Sequence, residues 1–144
     1  MLKLTAFESS RTDLAPEPIN PTWIREGSPV ARSVILSQSP DGRLLTGLWD
    51  CTAGVFSWIY PADEIVQILE GEVKVTDSSG TRILTPGSVC YFPHKLETVW
   101  EVSKYVKKTF ILRFPHRSFP RRVASFAKRK ILGQKSNGGA SIGG

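Results

Sequence analysis

The chain has 144 residues, of which 40% are hydrophobic and 22% are charged, and its formal net charge is +6. A chain of this length forms one domain, and this composition excludes collagen-like, disulfide-dense and wholly disordered classes. Residues 1–101 hold 8 Lys and Arg against all 13 Asp and Glu, whereas residues 102–144 hold 11 Lys and Arg and no acid. An acidic body is followed by a basic end, a pattern that favours polyanion or membrane-surface partners.

Cysteine content and hydropathy indicate the compartment. Cys51 and Cys90 are too few for a disulfide framework, and their surroundings lack the ligand spacing of a zinc site. The segment from Met1 to Thr5 lacks the apolar run of a secretory signal, and no stretch of about 18 apolar residues could span a bilayer. We therefore expect a cytoplasmic protein with reduced thiols.

The body of the chain has the pattern of a β-protein. Residues 1–22 are predicted to form an extended arm, because Pro16, Pro18 and Pro21 lie close together. Residues 23–115 show about nine short β-type runs separated by turn residues, which predicts an all-β fold, a single small antiparallel β-barrel. The predicted strands are Arg32–Gln38, Leu44–Trp49, Val55–Tyr60, Ile65–Leu69, Glu72–Thr76, Thr81–Leu84, Val89–Phe92, Thr98–Val102 and Tyr105–Phe114.

The basic end has a helical pattern. A short C-terminal amphipathic helix is predicted over residues 116–133, because Phe119, Val123 and Phe126 recur at helical spacing among Arg and Lys residues. Residues 134–144 are rich in glycine and are predicted to be disordered. Such a helix fits an anionic membrane surface or the phosphates of nucleic acid. In the alternative, its apolar stripe packs on the barrel or across a dimer and leaves a solvated basic face.

One predicted strand carries an unusual density of aromatic residues. Phe56, Trp58 and Tyr60 share one face of this strand, since alternate side chains of a strand point the same way. Three large aromatic groups on one face either pack a core or line a cavity. Glu64 follows shortly afterwards, and an inward-pointing carboxylate needs a partner or a wet cavity.

Two groups of residues resemble the signature motifs of the cupin superfamily, G-x5-H-x-H-x(3,4)-E-x6-G and G-x5-P-x-G-x2-H-x3-N. Glu64 and Gly71 match the glutamate and the last glycine of the first motif, and Gly87 and Pro93 match the start of the second. Lys95 stands where the second motif has a glycine, the residue that best tolerates left-handed backbone conformations. The resemblance implies a jelly-roll barrel, also called a double-stranded β-helix, over roughly residues 23–114.

A narrower similarity concerns one branch of that superfamily. The segments Phe56-x-Trp58-x-Tyr60, Leu69-Glu70-Gly71-Glu72-Val73 and Trp100-Glu101-Val102 are similar to the cupins named after (S)-ureidoglycine aminohydrolase. A chain with the namesake's activity would use a bound metal to release ammonia from ureidoglycine. The superfamily resemblance also implies a homodimer.

The matched positions depart from the metal-binding pattern of the superfamily. The resemblance implies imidazole ligands at three positions that Trp58, Tyr60 and Thr98 occupy here, so that Glu64 is the one ligand retained. Indole does not coordinate, and phenol does so only as phenolate. We therefore expect no cofactor, and no metal, with a divalent ion (Mn, Zn, Ni or Fe) as the alternative.

Resemblance and strand alternation together predict a barrel cavity that binds a small polar organic molecule. Glu64 is the candidate general base or acceptor, and Tyr60 is the candidate hydrogen-bonding group beside it. The alternative is structural, with the aromatic groups as core and Glu64 and Lys108 as a buried ion pair. The predicted ligand-binding residues are Trp49, Phe56, Trp58, Tyr60, Glu64, Thr98, Trp100 and Lys108.

Overall fold

The computed structural model describes residues 2–115, and they form an antiparallel all-β barrel, which confirms the predicted fold class. The predicted C-terminal helix over residues 116–133 and the tail over 134–144 lie outside the described residues. No helix in the described part of the chain is long and apolar enough to cross a membrane. The strands are β1 (Ala15–Pro16), β2 (Ile24–Gly27), β3 (Ala31–Gln38), β4 (Leu44–Ile59), β5 (Asp63–Gly71), β6 (Val73–Asp77), β7 (Gly80–Leu84), β8 (Val89–Phe92) and β9 (Glu97–Arg113), and a 3-10 turn, Pro21–Trp23, precedes β2.

Two long strands, β4 and β9, run through the whole barrel. The sequence predicts each of them as two separate strands, but the structure joins each pair into one continuous strand. Their antiparallel pairing extends from Leu44 opposite Arg113 to Ile59 opposite Glu97, and its register shifts between Thr52 and Gly54. A β-bulge at such a shift bends a strand without ending it. The turn-like residues in the middle of β4 therefore mark a bend in the strand.

The bend divides the barrel into two half-sheets. The first half-sheet has the order β1, β3, the start of β4, the end of β9, β5 and β8. The second contains β2, the end of β4, the start of β9, β6 and β7. Side chains from both half-sheets meet in one main core, which places the inward residues of β4 and β9 at the centre.

The N-terminal arm covers the outer face of the first half-sheet. β1 pairs with β3, and Leu14 packs with Val34 and Leu48 in a small second cluster. Lys107, which is 3% exposed, donates a hydrogen bond from Nζ to the carbonyl oxygen of Arg11 at 2.8 Å. The arm therefore covers apolar surface and also satisfies a buried ammonium, which would otherwise be costly.

The turn between β8 and β9 has an unusual backbone. Lys95 has a φ of 75° and is the one non-glycine residue with positive φ among the described residues. Its N–H donates to the carbonyl oxygen of Tyr60 at 2.8 Å, and the N–H of Tyr60 donates to the carbonyl oxygen of Leu96 at 3.1 Å. Lys95 thus adopts the left-handed conformation that a glycine allows, at a cost of about 1–2 kcal/mol.

Candidate functional site

A buried ion pair lies in the interior between the half-sheets. Nζ of Lys108 donates a hydrogen bond to Oε2 of Glu64 at 2.8 Å, and the two side chains are 6% and 7% exposed. Glu64 lies on β5 and Lys108 on the adjacent β9, opposite the buried residues Leu112 and Ile68 respectively. Removing two charges from water is unfavourable, and close pairing offsets much of that cost.

Two indole rings surround the Lys108 ammonium. Its Nζ lies 4.7 Å from the ring centroid of Trp49 and 4.8 Å from that of Trp100. The ladder pairs Trp49 with Lys108 directly, whereas Trp100 comes from the part of β9 in the second half-sheet. The rings meet edge to face, with centroids 5.8 Å apart and planes 73° apart. The ammonium therefore faces two π systems as well as a carboxylate, and both attract a cation.

Tyr60 is held by hydrogen bonding and stacking. Nε1 of Trp100 donates to the Tyr60 hydroxyl at 3.1 Å, and the Tyr60 ring stacks on Phe92 at 4.7 Å with planes 7° apart. Burial, followed by the negative charge of Glu64, raises the pKa of Tyr60 well above its usual value. The phenol therefore stays protonated at neutral pH.

Trp58 lies at the edge of the aromatic cluster. Its half-buried ring meets Trp23 edge to face at 5.3 Å and lies 6.2 Å from Phe56 and 6.3 Å from Trp49. The Nε1 atom of Trp58 is itself buried and donates no hydrogen bond to any described residue. A buried N–H without an acceptor costs about 1–3 kcal/mol. This donor can therefore be satisfied by an acceptor that is not part of residues 2–115.

The structure brings all eight predicted ligand-binding residues into one connected interior cluster. Thr98 joins it through the hydrogen bond that its hydroxyl donates to the carbonyl oxygen of Trp58 at 3.0 Å. Phe56 stacks on Trp100 at 6.4 Å with planes 15° apart. The side chains come from β4, β5 and β9, with Tyr60 just after β4.

Sequence reasoning missed two members of this cluster. Trp23 contacts Trp58 from the 3-10 turn before β2, and Phe92 stacks on Tyr60 from the end of β8. The available signals were a tryptophan directly after the proline-rich arm and a Phe-Pro pair in the second motif. Neither signal specifies an inward contact, because that contact depends on how the half-sheets pack.

The donors at the centre of the barrel do not fit a divalent metal. Trp58 offers a ring N–H donor, Tyr60 is a protonated phenol, and Thr98 donates its hydroxyl to a backbone carbonyl. The remaining carboxylate, that of Glu64, binds the Lys108 ammonium. Among residues 2–115, no three or more His, Cys, Asp or Glu side chains are grouped so that they could hold a metal ion. Imidazole or several carboxylates would be needed to bind the ions expected of a cupin.

Two half-sheets joined by long bent strands, with the interior site between them, define a cupin barrel. A family model described as the EutQ-like cupin domain matches residues 38–110, which is just over half of the chain. The chain belongs to the EutQ-like cupin domain family. The narrower ureidoglycine aminohydrolase branch stays a prediction.

Solved structures support the same fold. The EutQ protein of Clostridium difficile matches with a TM-score of 0.54 at 20% identity, over 60% of this chain and 69% of that chain. A DUF861-family protein of unknown function from Pseudomonas syringae pv. tomato matches with a TM-score of 0.67 at 22% identity, over 73% and 46%. A cupin superfamily protein from Desulfitobacterium hafniense matches with a TM-score of 0.52 at 22% identity, over 63% and 82%. No curated protein sequence matches the chain.

Proposed function

We propose that this protein is a binding cupin that takes up a small, planar, polar organic molecule at the Trp23–Trp58 edge of its aromatic cluster, without a histidine-ligated metal. The observation that carries the proposal is the buried Nε1 donor of Trp58, which has no acceptor among the described residues. Small-molecule sites combine aromatic surface with a few polar groups that fix orientation. The indole faces supply the surface, and the Trp58 N–H supplies the polar group.

The proposal assigns binding rather than a reaction. The Glu64 carboxylate, the candidate base, already accepts a hydrogen bond from Lys108, and Tyr60 is a protonated phenol. A substrate group that approached Oε2 of Glu64 would have to displace the Lys108 ammonium that already donates to it. Catalytic roles for Glu64 and Tyr60 therefore stay predictions. An activity like that of (S)-ureidoglycine aminohydrolase requires a metal for which these side chains are poor ligands.

Ligand titration tests the proposal directly. We suggest thermal-shift and tryptophan-fluorescence titrations of the full chain with benzoate, nicotinamide and uracil, which are planar and carry acceptors for an N–H donor. At least one probe is expected to stabilise the protein saturably. Trp58→Phe keeps an aromatic ring but removes the donor, and we expect it to weaken that probe's binding about five- to tenfold, since one hydrogen bond contributes about 1 kcal/mol.

A remote aromatic residue supplies the matched control. Tyr91→Phe removes a hydroxyl from a residue that is 61% exposed on β8, and it should leave probe affinity unchanged. If no probe binds, or if Trp58→Phe binds as tightly as the wild type, the proposed site is wrong.

Other parts of the proposal concern the cell and the partners. We also propose a cytoplasmic location, for which the two free cysteines in the described residues are the support, and a homodimer, for which the resemblance to the superfamily is the support. The basic segment over residues 116–133 carries a separate prediction of binding to anionic lipid or nucleic acid. Deleting residues 116–144 should abolish salt-sensitive binding to such a polyanion and leave probe binding to the barrel intact.

A further inference from the structure

We infer that the barrel centre is a cation-binding cage that the chain fills with its own Lys108 ammonium. Shortening this side chain would open the cage to a free primary alkylammonium ion. The cage walls are the Glu64 carboxylate and the rings of Trp49 and Trp100. The inference does not depend on whether the barrel binds an organic ligand at Trp58.

The first support is the complementarity of all three walls to one positive charge. The carboxylate oxygen is 2.8 Å from Nζ, and the two ring centroids are 4.7 and 4.8 Å away. An aromatic pair plus a carboxylate is the chemistry by which proteins recognise ammonium groups. Because the side chains of Lys108 and Glu64 are almost fully buried, water screens these attractions little.

The second support is that the walls are positioned independently of Lys108. Glu64 is on β5, Trp49 is on β4, and Trp100 is in the second half-sheet, where its Nε1 is bonded to Tyr60. Removing the lysine side chain therefore leaves both indole walls held by their aromatic neighbours, and it leaves the backbone of Glu64 held between β8 and β9. An organised cage with an unpaired buried carboxylate should take up a replacement cation, since an uncompensated buried charge is strongly unfavourable.

A comparison with Lys107 shows that burial alone does not make such a cage. Lys107 is also buried, but its Nζ bonds to the carbonyl oxygen of Arg11 and lies 3.7 Å from the exposed Glu70 carboxylate. No aromatic ring among residues 2–115 lies over that ammonium. Lys107→Ala is therefore a matched control for Lys108→Ala on the neighbouring position of the same strand.

Chemical rescue tests the inference. Lys108→Ala removes three carbons and the ammonium beyond Cβ, and n-propylammonium has the same heavy atoms. We expect Lys108→Ala to have a lowered Tm that n-propylammonium raises saturably, by at least about 4 °C at saturation. Neutral n-propanol should give a clearly smaller rise. Two control variants should lack the specific rescue by the ammonium ion. One is the single variant Lys107→Ala, and the other is the double variant Lys108→Ala with Glu64→Gln.

A measurement on the full-length wild-type chain covers the case in which Lys108→Ala does not fold. The Hε protons of Lys108 should be shifted upfield in NMR spectra by the ring currents of Trp49 and Trp100, with Lys108→Met used for assignment. Unshifted Hε resonances would overturn the cage. Equal rescue by propanol and propylammonium, or a stoichiometric divalent metal lost on Glu64→Gln, would overturn it as well.

Discussion

Glu64 and Lys108 are 44 residues apart in sequence, yet they form a 2.8 Å hydrogen-bonded ion pair in the interior of the barrel. Their strands β5 and β9 are neighbours in the first half-sheet, so the backbone ladder fixes the distance between the two Cα atoms. Trp49 and Trp100 close the site around the ammonium. The pair is therefore both a structural contact and the polar centre of an otherwise aromatic interior.

Breaking this pair should destabilise the protein more than replacing it. Glu64→Gln leaves the buried ammonium without its countercharge, and we expect the free energy of unfolding to fall by about 3–5 kcal/mol. The apolar double variant Glu64→Leu with Lys108→Met should lose less than the single variant, because no unpaired charge remains. Urea unfolding at pH 7 measures both. Neutral surface substitutions change the free energy of unfolding by up to about 0.5 kcal/mol. A change no larger than that in Glu64→Gln would contradict this prediction.

Asp63 should make stability depend on pH in the acid range. The backbone N–H of His94, bonded at 3.0 Å, and the Arg113 guanidinium at 2.7 Å hold the pKa of Asp63 below its usual value. A carboxyl with a lowered folded-state pKa stabilises the fold above its unfolded-state pKa, and this contribution is lost as pH falls through the folded-state value. Asp63→Asn should therefore be less stable than the wild type at pH 7, and the difference should vanish at low pH.

Unfolding in urea at a series of pH values from about 2 to 7 measures this dependence. That range lies on both sides of the ordinary carboxyl pKa of about 4. Arg113→Gln keeps the His94 donor and should retain part of the acid-range loss of stability. A difference between wild type and Asp63→Asn that is the same at every pH would rule out the proposed linkage.

Lys95→Gly should stabilise the turn between β8 and β9. Lys95 has a φ of 75°, and a side chain disfavours this conformation, whereas glycine adopts it freely. Relief of the backbone strain should contribute about 1 kcal/mol to the free energy of unfolding. The greater freedom of glycine in the unfolded chain should offset part of this gain. Lys74→Gly in the extended strand β6 is the control and should destabilise. A Tm that falls for Lys95→Gly as it does for Lys74→Gly would show that Lys95 is not strained.

The two cysteines should differ in reactivity. Cys51 is fully buried, and burial, followed by the charge of Asp50, raises the pKa of its thiol to about 12. Burial also raises the pKa of Cys90, which is partly exposed. Iodoacetamide reacts with thiolates, so native protein should be alkylated at Cys90 and should stay unmodified at Cys51. Unfolding in urea should make both thiols reactive. Peptide mass spectrometry distinguishes the two sites, and equal labelling in the native state would contradict the assignment.

Several features of the fold could be predicted from local sequence. Short apolar runs with alternating patterns and turn residues between them indicated β-strands, and Val89–Phe92 was predicted with its observed bounds. The two long strands were each predicted as two, and in β4 the predicted break fell at the turn-like Thr52-Ala53-Gly54 segment. Local propensity does not distinguish a turn from a bulge, since the hydrogen bonds that continue the strand come from distant residues.

The sequence by itself determined the all-β class and the shared strand face of Phe56, Trp58 and Tyr60, and its resemblance to the cupin motifs implied that poor metal ligands stand at three ligand positions. These depend on residue chemistry and on the two-residue period of a strand. Only the tertiary structure decided that Lys108 takes the Glu64 carboxylate and that the buried Trp58 donor has no acceptor among residues 2–115. Both depend on which strands become neighbours and how the half-sheets pack, and side chains far apart in sequence acquire fixed distances only through those contacts.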